Sequence, residues 1–278
     1  MKLLSVLHED KQKLCLLDNQ EGLRDLGPLG LFDMAQAIAR AETLNSLTQK
    51  AGELPLVPSN EVSHLPVVSK PEKIICVGLN YKKHIEEVSA PTPEHPVIFA
   101  KYANALAAHE QEVARGACEK MDYEAELVIV IGKTCRDVTV EQAPDYCFGY
   151  TCGNDFSARD LQLLTSQWTL GKTPDGFAPI GPVLVTADEI NPDNLHISCA
   201  VNGQTRQAAN TGDILFKPFF LVSFLSRYMT LKPGDLIFTG TPSGVGQAMP
   251  EDNRKWLMPG DLVEVSIEGI GSLKNRIV

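Results

Sequence analysis

The sequence predicts an α+β protein that is mainly β: a mixed β-sandwich or roll with helices packed outside it. A small α+β domain precedes it. From Lys73 onward, short β-branched runs dominate, each bounded by Gly, Pro, Asn or Asp. Helical spacing interrupts them too rarely for the strict strand–helix alternation of a doubly wound fold. Residues 1–68 read differently and end in a Pro- and Ser-rich stretch, LPLVPSNEVSHLPVVSKPEK (54–73), of linker character. The boundary falls near Ser69, giving a small domain 1–68 and a main domain 69–278. A length of 278 residues suits that division.

In the first segment, strands are expected at Leu3–Leu7 and Lys13–Leu17, with a polar turn between them. Leu31, Met34, Ile38, Ala41, Leu44 and Leu47 then recur at helical spacing. In the main domain the expected strands are IICVGL (74–79), PVIFA (96–100), AELVIVIG (125–132) and YCFGYTC (146–152). GPVLVT (181–186), LHISCAVNG (195–203), DLIFTG (235–240) and DLVEVSIEGIGSL (261–273) follow. One helix starts at Ala158–Leu164. Another covers Phe216–Tyr228, with Phe216, Phe220, Phe224, Leu225 and Tyr228 on one face.

Composition excludes several functions. Lys+Arg total 25 against 35 Asp+Glu, a net charge of -10 with no basic run. Such a chain neither wraps nucleic acid nor binds anionic membranes, because both need clustered Lys and Arg. The start lacks a secretory pattern, since Glu9, Asp10 and Lys11 end its apolar run too early. The most apolar stretch, 214–231, is broken by Lys217, Pro218 and Arg227, so no membrane span is expected. The seven cysteines are scattered without C-x-x-C, which points to free thiols in a reducing cytoplasm.

Four constellations carry possible chemistry. Glu124 and Glu126, in DYEAELVIVIG (122–132), lie two apart on a strand and project from one face. Alone, the pair reads as a solvated lead-in. Asp155 adds a third carboxylate, and three hard oxygens without Cys or His suit Mg²⁺ or Mn²⁺. The competing reading for Asp155 is a helix N-cap. His84 and Glu87, in YKKHIEE (81–87), would share a helical turn, and the carboxylate would orient the imidazole as in a general-base dyad. Such pairs are more often surface decoration. Lys172 sits in an expected loop, and Arg159 and Gln162 lie three apart at the start of a helix, within reach of a substrate carboxylate. GTPSGVG (240–246) lacks the P-loop lysine and reads mainly as a turn with structural glycines.

Together, KIICVGLNYKKHIEE, MDYEAELVIVIGK, GYTCGNDFSARDLQ, QWTLGKTPDGFAPIGP, LKPGDLIFTGTPSGVG and MPGDLVEVSIEGIGSLKN resemble the fumarylacetoacetate hydrolase family, in family order from about residue 70 to the end. The resemblance is to bacterial-type members with a small N-terminal extension. It implies that Glu124, Glu126 and Asp155 hold Mg²⁺ or Mn²⁺. His84 and Glu87 would lie on a lid segment that activates water, and Lys172 beside the reacting oxygen. Arg159, Gln162, Lys101 and Thr241 would lie near the substrate or the metal, and are read as substrate contacts. The chain departs from the family pattern at Lys101–Asn104, where KYAN replaces a proline-containing motif. The implied substrate is a small anionic 2-oxo acid. The favoured reaction is hydrolysis of a C–C bond in an acylpyruvate or diketo acid through an enolate held at the metal. Oxaloacetate decarboxylation and isomerase or lyase chemistry are the alternatives, and a ligand-binding protein with a degenerate site is the non-enzymatic one. Family analogy also implies a homodimer.

Overall fold

The computed structural model describes residues 1–18, 20, 22–49 and 51–278. Among them the protein is mainly β with few helices, and twelve strands share one sheet. Its path runs from Leu56–Val57 through Leu23–Asp25, Lys11–Leu17 and Lys2–His8 to Ala178–Thr186. It continues through Cys147–Asn154, Ala125–Ile131, Leu236–Phe238 and Ile74–Gly78 to the edge strand Val97–Lys101. A four-stranded antiparallel sheet holds Gln204–Asn210, His196–Val201, Leu262–Ile267 and Gly271–Arg276.

The central strand Ala125–Ile131 is buried along its whole length, which is why it is apolar without alternation. Its successive side chains enter different cores. Leu127, Ile129 and Ile131 join a cluster that includes Ile197, Val263 and Val265 of the four-stranded sheet. Val128 and Val130 join a second cluster with Ile74, Cys76 and Phe238, which also takes in Leu3 and Met34 from the N-terminal segment. Burial on both faces locks the register, because a one-residue slip would exchange the two sets. That register fixes where Glu124 and Glu126 point.

The first two strands form a hairpin with a two-residue turn, Glu9 and Asp10, both at positive φ as a type I′ turn requires. Lys2 and Leu3 pair with Val185 and Leu184, so the N-terminal strands extend the main sheet. The expected helix over 31–52 is two helices, Met34–Ala39 and Ala41–Leu47, broken at Arg40. Asp33 caps the first by accepting from the Gln36 amide. The 54–73 stretch contains two strands of two residues each, Leu56–Val57 and Ser63–His64, too short for any periodicity to announce. The helix Pro218–Tyr228 starts at its proline, as N1 preference dictates. Its aromatic stripe lies at the margin of the core: Phe216 and Phe224 pack against it half-buried, and Tyr228 is 69% exposed. Phe216, Phe220 and Phe224 stack in series with centroids 5.7 and 5.9 Å apart, and Tyr228 meets Phe224 edge-on at 5.2 Å. Leu221, Val222 and Leu225 are the buried face, so Leu225 belongs opposite the stripe to which its spacing assigned it.

Candidate active site

Antiparallel pairing of Ala125–Ile131 with Cys147–Asn154 builds the acidic cluster. Ala125 faces Asn154, and one step further the Asp155 amide donates to the Glu124 carbonyl at 2.9 Å. Asn154 Oδ1 accepts from the Glu124 amide. The strand ends thus place Asp155 beside the two glutamates, and carboxylate oxygens of Glu124, Glu126 and Asp155 lie within 4.8 Å of one another. All three residues are buried. Asp155 is not a helix cap: the following turn, Arg159–Gln162, is preceded by Ala158.

Cations surround the cluster on the protein side. Lys172 ends the short helix Thr169–Lys172, not a loop, and its ammonium donates to Glu124 Oε2 at 2.8 Å and Asp155 Oδ2 at 2.7 Å. Arg159 reaches Glu124 Oε1 at 2.7 Å and Asp122 Oδ2 at 2.9 Å, and donates to Gln162 Oε1 at 2.9 Å. Lys101, expected near the substrate or the metal, lies on the metal side, against Asp155. Its fully buried ammonium is used up on Asp155 and on the Phe156 and Phe177 carbonyls, so no donor remains for a ligand.

These partners push the carboxyl groups apart in proton affinity. Burial opposes the charge on Glu124, but Lys172 and Arg159 outweigh it and hold the carboxyl well below its usual range. Glu126 goes the other way. Burial, Asp155 and Glu124 all raise it, and its carboxylate accepts from the Gly240 amide at 2.7 Å. A buried carboxylate short of positive charge, grouped among the described residues with two more hard oxygen donors, fits a divalent cation.

The 240–246 stretch is more than a turn. Its amides hold three carboxylates: Gly240 N–H donates to Glu126, Gly244 N–H to Glu87 Oε2 at 2.9 Å, and Gly246 N–H to Asp122 Oδ1 at 2.8 Å. Gly240 and Gly244 sit at φ of 100° and 106°. A Cβ on Gly244 would fall 2.1 Å from the Arg206 carbonyl, which excludes any other residue without a shift. Thr241 lines the cavity and accepts from Gln207 at 2.8 Å.

Opposite the strands, the helix Lys82–Glu87 places His84 Nδ1 2.7 Å from Glu87 Oε1. With the Nδ1 proton donated to Glu87, Nε2 keeps its lone pair. His84, Glu124, Glu126, Arg159, Gln162 and Lys172 all line one cavity of about 230 Å³. Of the ten residues singled out in the sequence, Lys101 and Asp155 lie behind that lining and Glu87 acts on it through His84. Asp122, Gln207 and Gln247 escaped sequence reading. Asp122 accepts from Arg159 and from the Gly246 and Gln247 amides, and so ties the arginine to the loop. The one available signal was its place two residues before Glu124, although Asp122 belongs to a separate short strand, Met121–Asp122.

A mainly β fold with a buried three-carboxylate cluster able to hold a divalent cation, and a His–Glu pair beside it, has the make-up of an enzyme site. The chain belongs to the fumarylacetoacetate hydrolase family: that family's C-terminal profile matches residues 73–278. The mitochondrial oxaloacetate tautomerase of Rattus norvegicus is 40% identical over 250 residues, covering 88% of this chain and 79% of its own. A fumarylacetoacetate hydrolase from Exiguobacterium antarcticum superposes with a TM-score of 0.90 at 34% identity, over 100% of this chain and 99% of the other. A maleylpyruvate hydrolase from Sphingobium sp. SYK-6, in complex with manganese(II) and pyruvate, gives 0.83 at 29% identity over 100% and 99%.

Proposed function

We propose that this protein is a divalent-metal-dependent hydrolase that cleaves the C–C bond of an acylpyruvate or related diketo acid to release pyruvate. The observation that carries this reading is that His84, held by Glu87, and Glu124 and Glu126 of the three-carboxylate cluster line one cavity, with Asp155 directly behind them. Glu124, Glu126 and Asp155 would hold Mg²⁺ or Mn²⁺, which supplies Lewis acidity toward a substrate oxygen. Arg159 and Gln162 orient the substrate carboxylate. His84 Nε2 takes a proton from water, and Glu87 stabilises the imidazolium through Nδ1. The water oxygen adds to the distal carbonyl, the C–C bond breaks, and its electrons pass to the pyruvyl carbon and 2-oxo oxygen. Lys172 stabilises the charge developing there. Protonation of the carbon completes pyruvate, and the other product is a carboxylate. The protein works as a homodimer in the cytoplasm on this proposal, a placement supported by seven free, buried cysteines. Among the described residues no helix is long and apolar enough to cross a membrane.

The test is pyruvate release from acetylpyruvate. EDTA is expected to abolish it, Mg²⁺ or Mn²⁺ to restore it, and His84→Ala to lower it about 10²–10⁴-fold. Full turnover after exhaustive chelation rejects the proposal. The 40% identity to an oxaloacetate tautomerase favours a second reading, in which the same groups only move a proton at C3. Rapid loss of oxaloacetate enol absorbance without pyruvate release from any acylpyruvate selects it. Sedimentation velocity checks the dimer.

A further inference from the structure

The cavity beside the carboxylates is charged only around the metal cluster. Its cations, Arg159 and Lys172, are committed to Asp122, Glu124 and Asp155. Leu79, Val88, Phe99, Leu163, Trp168 and Val245 supply most of the rest of the lining. Three of its parts form a continuous surface. The Lys172 ammonium lies 5.0 Å from the centroid of the Phe99 ring, and Phe99 meets Trp168 edge-on with centroids 5.5 Å apart. Trp168 then closes onto Gly78, where a Cβ would fall 2.6 Å from the indole. Gly78 is thus the residue that lets the indole reach the cavity. Among the described residues lining this cavity, no cation is left over to meet a second anionic group.

We infer that the site selects a 2-oxo acid whose far end is uncharged and apolar, a short alkyl or aryl tail, against one that ends in a second carboxylate. The inference rests on the proposed 2-oxo acid reading and adds the chemistry of the tail to it. One carboxylate of the substrate takes the Arg159–Gln162 side of the cavity, where, among the described residues, the guanidinium keeps one Nη1 N–H beyond its bonds to Asp122, Glu124 and Gln162. A second would lose its hydration against Phe99, Trp168 and Val88 with no partner, which is costly for a charge. An alkyl tail gains instead, by about fourfold in affinity per buried methylene. A cavity of about 230 Å³ lies below the usual range for drug-sized ligands, so the tail is short.

The experiment is calorimetric titration of the Mn²⁺-loaded protein with pyruvate, 2-oxohexanoate and 2-oxoadipate. The last two have equal carbon counts and differ in ending on methyl or carboxylate. Pyruvate is expected to bind, and 2-oxohexanoate to bind about tenfold or more tightly than 2-oxoadipate. Leu163 is 62% exposed, so Leu163→Arg places a cation at the rim without disturbing the core, and it should narrow the gap by strengthening 2-oxoadipate. Pyruvate bound together with 2-oxoadipate equal to or tighter than 2-oxohexanoate overturns the tail inference and leaves the 2-oxo acid reading standing. An unchanged gap in Leu163→Arg also counts against it. Failure of pyruvate and both longer acids to bind overturns the parent reading and the inference with it.

Discussion

Two buried lysines touch Asp155 and have opposite fates. Burial penalises both charges. At Lys172 it is outweighed by Asp155 and Glu124, and proton affinity rises; at Lys101, Asp155 does not compensate for burial and the nearby Lys172 charge, and it falls. Lys172 is therefore the secure cation at the cavity. Lys172→Met should lower kcat more than it raises KM, by ~2–4 kcal/mol of transition-state stabilisation, with metal saturating. A pure KM defect in steady-state kinetics would make it a binding residue. Glu126 supplies a pH prediction. Its raised proton affinity means that the metal-free folded chain holds a proton that the unfolded chain has already released. The associated stability is full below the ordinary glutamate range and is lost as pH rises through the raised value. A cation must displace that proton, so Mn²⁺ affinity should rise with pH across the same window and release a proton on binding. Glu126→Gln should weaken Mn²⁺ binding and flatten this dependence; an equally steep dependence in the variant would point to another group.

The loop 240–246 shows how a short connection can govern a site built mostly on strands. Its amides clasp Glu87 from the helix Lys82–Glu87 and Asp122 and Glu126 from the 122–126 stretch, and so join two separate parts of the chain. Gly244→Ala would drive a methyl group into the Arg206 carbonyl and place alanine at φ 106°. The expected result is a loss of about 1–3 kcal/mol of stability together with a fall in kcat, because Glu87 loses the amide that fixes it. Thermal melts and kinetics on one preparation check both, and an unaltered kcat would separate the loop from the dyad. In the sequence this loop read as a turn. Glycine spacing announces positive φ but not what the neighbouring amides will face, since Asp122 and Gly246 meet over a separation of 124 residues. Glu124, Glu126, His84 and Glu87 were legible for the opposite reason: each pair is set by local periodicity, two on a strand and three on a helix.

Strand content and the paired carboxylates could be read from β-branched runs and alternation. The joining of the N-terminal hairpin to the main sheet could not, because nothing in Lys2 and Leu3 specifies Val185 and Leu184 as partners. The orientation of the Pro218–Tyr228 stripe was also beyond periodicity, which finds faces without saying which one the core takes. The junction that follows from this assembly has its own pH dependence. Ser63–His64 pairs with the first strand, and His64 lies edge-on to His109 with ring centroids 4.7 Å apart. His109 Nδ1 accepts from the Lys274 amide at 3.0 Å, so the N-terminal segment, through His64, and the C-terminal strand Gly271–Arg276 meet at one ring. Burial, then the His64 and Lys274 charges, lower His109 from the ordinary 6.5 to about 4, against a smaller opposing pull from Glu110 and Glu264. Between those values the unfolded chain binds a proton that the folded chain does not. Stability therefore rises with pH through the window from about 4 to 6.5 and is complete above it. His64, lowered chiefly by burial, adds in the same direction. His109→Asn places an amide oxygen near the Nδ1 position, so the Lys274 bond can persist while the titration disappears. Urea denaturation of both proteins at intervals across the window should show a shallower acid limb in the variant. An acid limb of the same slope would assign the loss of stability to other groups and leave the His64–His109 contact as packing alone.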